Sequence, residues 1–186
     1  MIAPTQTALG WQMPIDDWLP LNRTWIFDRP QLMSAVAPFP PAALMTNTSG
    51  LTERSDFATH GTGIYRALWE ASDRSLSAYS SIIDFGCGCG RLARMFAGHK
   101  GKIQGCDIDA RHVEWFNSSL SFMRAKLSRV VRPIRKAVDE PFEYGISFTP
   151  ESYIRTHWSR WFDVLDYRVG GIHDFQDIVV LQPRKP

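Results

Sequence analysis

Residues 81–91, Ser-Ile-Ile-Asp-Phe-Gly-Cys-Gly-Cys-Gly-Arg, constrain the fold of this chain more than any other stretch. An apolar run short enough for a buried strand meets glycines at alternate positions, and Leu92, Met95 and Phe96 follow at helical spacing. The pattern predicts a strand, a glycine-rich turn and a helix over roughly residues 89–97 that stops at Gly98. Glycine reaches backbone conformations closed to other residues and carries no Cβ, so a ligand can lie directly against the main chain. The unpaired N–H groups at the start of the next helix favour negatively polarised ligand atoms. These features point to a nucleotide-like ligand.

The spacing narrows the choice. Dinucleotide sites use G-x-G-x-x-G, whereas Gly86, Gly88 and Gly90 give G-x-G-x-G after an acid, Asp84. A second predicted strand, Ile103-Gln104-Gly105-Cys106-Asp107, ends in an acid twenty-one residues beyond Gly86. This resembles the first motif of class I S-adenosylmethionine (SAM)-dependent methyltransferases, acid-x-G-x-G-x-G, and the likeness covers residues 56–120 and 143–182. It implies an α/β fold, a Rossmann-like three-layer sandwich with a mostly parallel sheet and a C-terminal antiparallel β-hairpin. It also implies SAM as cofactor and methyl transfer to an acceptor that the sequence does not identify. By the same resemblance Gly86, Cys87, Gly88 and Gly90 line the methionine and ribose, Asp84 orients the amino end, and Asp107 accepts the ribose hydroxyls. No catalytic residue is assigned, because an activated methyl donor needs alignment and a dry site rather than a covalent residue or a metal.

The resembled family has a seven-stranded sheet, and a βαβ unit takes about 30 residues or more. Only residues 121–148 separate the second strand's helix from the final helix and hairpin. The expected sheet is therefore abbreviated in the middle, without a recognisable fourth strand. Two other functions stay open: a catalytically inactive methyltransferase-like binding module and a nicotinamide-dependent Rossmann enzyme, the latter disfavoured by the glycine spacing. A shortened sheet exposes an edge through which a homodimer could form.

Composition excludes more than it selects. Hydrophobic residues at 44% and charged residues at 22% suit a globular protein, and a net charge of +2 singles out no partner. There is no run of eighteen apolar residues to span a membrane. No Lys or Arg precedes Arg23, and Pro4, Pro14 and Pro20 interrupt the N-terminus, which argues against a secretory signal and for the cytoplasm. The three cysteines, Cys87, Cys89 and Cys106, suggest neither a disulfide framework nor zinc spacing, so no metal is expected.

Seven of the twelve prolines lie in the first 41 residues, interleaved with Trp11, Trp18, Trp25, Phe27 and Phe39. Prolines break long helices while aromatics favour burial, so residues 1–50 read as an arm laid over a domain of residues 51–186, a surface-packing extension in preference to a substrate-covering lid. A helix is predicted over 56–71, with Gly61 and Gly63 allowing a start as late as Thr62. Asp109 reads as the N-cap of the next helix, His112 as a surface residue and His60 as a solvated loop histidine, while for Arg91 and Arg94 an exposed helix face and contact with a carboxylate of the cofactor or substrate both stay open. Arg124, Lys126, Arg129, Arg132, Arg135 and Lys136 form a basic run beside Phe122; such runs are mostly solvated faces, and nucleic acid is not the favoured partner. Thr149-Pro150 predicts a helix start, and two strands, 162–169 and 177–181, flank a Gly170-Gly171 loop.

Overall fold

The computed structural model describes residues 13–23, 36–120, 124–127, 149–174 and 176–184. Trp11, Trp25 and Phe27 of the arm, Phe122, and the basic run from Arg129 to Lys136 lie outside the described residues. Among the described residues three helices come first: α1 (Ile15–Arg23), α2 (Ala42–Ser49) and α3 (Arg54–Ala71). Strands β1 (Ser81–Phe85) and β2 (Lys102–Asp107) follow, then α4 (Ala110–Ser119) and β3 (Arg124–Leu127). Helix α5 (Glu151–His157) leads into β4 (Phe162–Ile172) and β5 (Gln176–Pro183). The described residues are thus α/β, with a parallel sheet in the order β1-β2-β3 and a separate antiparallel hairpin.

The register fixes where chemistry can occur. Asp84 pairs with Gly105 and Phe85 with Cys106, so Asp107 lies one residue past the partner of Phe85. Both acids therefore finish at the carboxyl end of the parallel strands, the end at which open α/β sheets bind ligands. No helix among the described residues is long and apolar enough to cross a membrane.

Helix α3 begins at Arg54, earlier than Gly61 and Gly63 suggest. Its buried stripe runs through Phe57, Ala58, Gly61, Ile64 and Tyr65. The glycines are close-packing positions rather than breaks. A Cβ at Gly61 would stand 2.7 Å from the Arg91 carbonyl oxygen, and one at Gly63 would stand 2.5 Å from His173 Cε1. The helix expected over 89–97 shrinks to a 3₁₀ segment, Ala93–Phe96. Gly90 at φ +85° and Gly98 at φ +90° bound this segment on either side.

Most of the core forms where this segment meets β2, α3, α4 and the arm. Trp18 and Leu19 of α1 pack with Tyr65, Leu76, Met95, Phe96, Ile103 and Phe116. Trp18 also donates its Nε1–H to the Met95 carbonyl at 3.1 Å. Arg94, with an exposed helix face as one expectation, is only 1% exposed. Its guanidinium donates to the carbonyls of Ala37 at 2.8 Å and Asn22 at 3.3 Å and stacks 3.6 Å from the Phe39 ring centroid. Burial pushes its pKa down to about 9. A cation in this position ties two parts of the arm to the segment that follows the glycine turn. Among the described residues nothing covers one face of β1, where Ile83 and Phe85 are 71% and 83% exposed.

In the hairpin, Gly170 and Gly171 remain within β4, with Gly170 at φ +62° beside a register irregularity. The reversal comes later, at His173 and Asp174, both with positive φ. Pro150 precedes α5 as its cap, one residue beyond the expected Thr149.

Truncating the arm's anchor checks its integration. Trp18→Ala should lower the unfolding free energy by about 3–5 kcal/mol in urea titrations. A loss below about 1 kcal/mol, the scale of an ordinary surface substitution, would show that the domain is folded without α1.

Candidate functional site

The glycine turn has the backbone its sequence demands. Gly86, Gly88 and Gly90 take φ values of +74°, +51° and +85°, the left-handed region in which a side chain is strained. The Gly86 and Cys87 N–H groups donate to the Cys106 carbonyl at 2.8 and 3.1 Å, fastening the turn to the end of β2. Cys87 turns its side chain into the core, its sulfur lying 2.7 Å from where a Cβ on Gly105 would stand. It therefore offers the outer face of the turn only its backbone. Burial first, then the charges of Asp84 and Asp107, pushes its thiol pKa upward.

Asp107 is buried, and both of its oxygens accept from the main chain. Oδ2 takes the Gly88 N–H at 2.7 Å and Oδ1 the Asp109 N–H at 2.8 Å, while His112 Nδ1 stands 3.7 Å from Oδ1. Burial alone would raise its pKa, but His112 and the two N–H donors outweigh that effect and hold the carboxyl below its ordinary value. Asp109 acts as the predicted N-cap, accepting from the Arg111 N–H at 2.9 Å. His112 itself, expected at the surface, is fully buried.

Asp84 is the opposite case. Its Oδ2 is buried without a hydrogen-bond partner among the described residues. Burial, reinforced by the Asp107 charge and partly offset by Arg91, pushes its pKa up to about 6. No described residue supplies this oxygen with a donor. At Gly86 a Cβ would meet nothing within 4 Å.

Two α2 residues that the sequence reading did not single out, Asn47 and Thr48, stand over the turn. A Cβ at Gly88 would lie 2.5 Å from the Thr48 methyl carbon. The Thr48 hydroxyl accepts from the Cys89 N–H at 3.4 Å and lies 3.1 Å from Cys89 Sγ. Asn47 donates to Asp109 Oδ2 at 3.1 Å and comes within 3.4 Å of His112 Nε2. The signal available was a polar run, Thr46 to Ser49, closed by Gly50, which reads as an ordinary helix end.

His60 lies in α3, not in a loop, and its ring meets that of His173 at the hairpin turn, the centroids 4.4 Å apart. His173 Nε2 is 3.2 Å from the His60 carbonyl oxygen. Burial, then the charges of His173 and Arg91, lowers the His60 pKa against a smaller opposing effect of Asp56. An apolar groove of about 360 Å³ runs between β1 and β5, lined in part by Leu68, Leu76, Ile82, Ile83, Ile178 and Val180. No group of three or more metal-ligating side chains is assembled among the described residues. Comparison of the chain with protein-family models, curated proteins and solved structures yields no match.

Two titrations are expected. Asp84 has a raised pKa, so its contribution favours the fold below the ordinary aspartate range and is lost as pH rises through about 6. Relative to wild type, Asp84→Asn should gain up to about 2–3 kcal/mol between about pH 4 and pH 8 in paired urea titrations. A constant difference would contradict the buried-acid assignment. His60 behaves oppositely: its lowered pKa gives stability above its ordinary value of 6.5 that is lost as pH falls through the histidine range. Thermal melts should show a larger acid-side drop in wild type than in His60→Gln, and equal drops would refute the coupling.

Proposed function

We propose that this chain is a SAM-binding domain of the class I methyltransferase type that transfers a methyl group to an acceptor. The reading assigns the described sheet and hairpin to an abbreviated Rossmann-like three-layer sandwich. One observation carries it. Three left-handed glycines sit between two parallel strands whose carboxyl ends carry Asp84 and Asp107.

The residues fit such a cofactor in two respects: the orphaned Asp84 Oδ2 and the open space over Gly86. SAM, when bound, supplies an activated methyl group on a sulfonium centre. Asp84 would accept from the ammonium of the methionine portion, and that bond would relieve its unpaired burial. Gly86 would let the ligand lie against the main chain. Each carboxylate oxygen has two acceptor positions, so Asp107 keeps capacity for ribose hydroxyls beside its bonds to Gly88 and Asp109. The buried surroundings of the turn would exclude water and hold the reacting atoms in line.

A second reading, a binding module without catalysis, rests on β1. Among the described residues this strand has a partner only on its β2 side, and Ile83 and Phe85 are exposed. The wall that would hold an acceptor is not built by those residues.

Calorimetric titration with SAM, S-adenosylhomocysteine and NAD separates these functions. Micromolar binding of S-adenosylhomocysteine, weakened about tenfold or more in Asp84→Asn by loss of one charge-assisted bond, is the expected result. Binding of NAD alone would overturn the reading. Methyl transfer from labelled SAM to a cell extract distinguishes an enzyme from a module, which would bind without transfer.

A further inference from the structure

Helix α2 lies where a ligand of the glycine turn must go. The Thr48 methyl fills the space above Gly88, and the Thr48 hydroxyl takes the Cys89 N–H that would otherwise face a ligand. Asn47 spans from Asp109 to the neighbourhood of His112 and so covers both residues that flank Asp107. With these contacts in place Gly86 stays exposed, whereas the ribose side of the turn is covered and Asp84 Oδ2 is buried.

The same helix is weakly held. Met45 is its single buried side chain, and it packs in a small cluster with Phe57 and Cys89 apart from the main core. On one side the chain is fixed at Ala37, bound by Arg94, and at buried Pro40. On the other, Gly50 sits at φ +71° with open space around it before α3 begins at Arg54. A short helix between two fixed points, held by one buried side chain and a few polar contacts, opens at lower cost than the core beside it.

We propose that α2 is a strap that closes the cofactor site by standing in the ligand's place, and that it lifts from Gly88 and Asp109 to admit the ribose portion of an adenosyl ligand. The inference rests on the SAM reading and adds to it a built-in control of access. Affinity for the ligand is reduced by the fraction of molecules in which the strap is closed. Loosening the strap should therefore strengthen binding, the reverse of what loss of a merely structural helix would do.

Two measurements on the full chain test it. Hydrogen exchange without ligand reads the strap alone: amides of α2 should exchange about tenfold or more faster than those of α3, and equal protection would overturn the strap even if the cofactor binds. Titration with S-adenosylhomocysteine reads access. Thr48→Cys places a thiol beside Cys89 Sγ, which Thr48 Oγ1 already approaches to 3.1 Å. Oxidation to a disulfide should weaken binding about tenfold or more and reduction should restore it, while Met45→Ala should tighten binding above wild type. Binding unchanged by the disulfide, or weakened in Met45→Ala, overturns the strap and leaves the cofactor reading intact. Absence of binding in wild type, Met45→Ala and reduced Thr48→Cys overturns the cofactor reading and, with it, the ligand assigned to the strap.

Discussion

The carboxylate of Asp107 holds three elements in one arrangement. It ends β2, takes the Gly88 N–H of the glycine turn and takes the Asp109 N–H just before α4. Buried backbone N–H groups need partners, and leaving one unpaired costs about 1–3 kcal/mol. One side chain meets two such needs where the strand, the turn and the helix converge. Of the left-handed glycines, Gly88 is held by this carboxylate, while the Cys106 carbonyl holds Gly86 and buried Cys87 and Cys89 anchor the turn in the core. His112, buried against the same carboxylate, and Asn47 and Thr48 of the arm extend the contacts outward.

Asp84, on the neighbouring strand, complements this arrangement. Asp107 is satisfied and held below its ordinary pKa, whereas Asp84 is buried, lacks a partner for Oδ2 and is pushed up to about 6. Two carboxyls at the same sheet end are thereby set apart, one bonded to the turn and one with an oxygen that no described residue partners. Perturbed acids of this kind concentrate at functional sites, although structural networks also produce them. The proposed cofactor would supply the donor that Asp84 lacks.

Features governed by neighbours in sequence were legible from the sequence. Strands β1 and β2, the glycine turn, the Asp109 cap and the hairpin all follow from short-range pattern and turn chemistry. Features governed by distant partners were not. Arg94 looks like a helix-face cation until Asn22 and Ala37, 72 and 57 residues away, bring their carbonyls to it. Gly61 and Gly63 look like helix breakers until Arg91 and His173 occupy the space beside them. Likewise, Thr48 reveals its place over Gly88 only when the arm folds onto the turn 41 residues on. For the candidate site, the sequence identified the glycines and the two acids, but it did not distinguish the roles of those acids or locate the helix that covers the turn.

The central claim is that an adenosyl ligand binds at the glycine turn. Nitrogen-15 NMR of the full chain titrated with S-adenosylhomocysteine tests it most directly, because amides next to the ligand shift most. The account predicts large shifts at Gly86, Gly88 and Cys89, together with Asn47 and Thr48. Saturable shifts confined to other parts of the chain, or none at millimolar ligand, would contradict it.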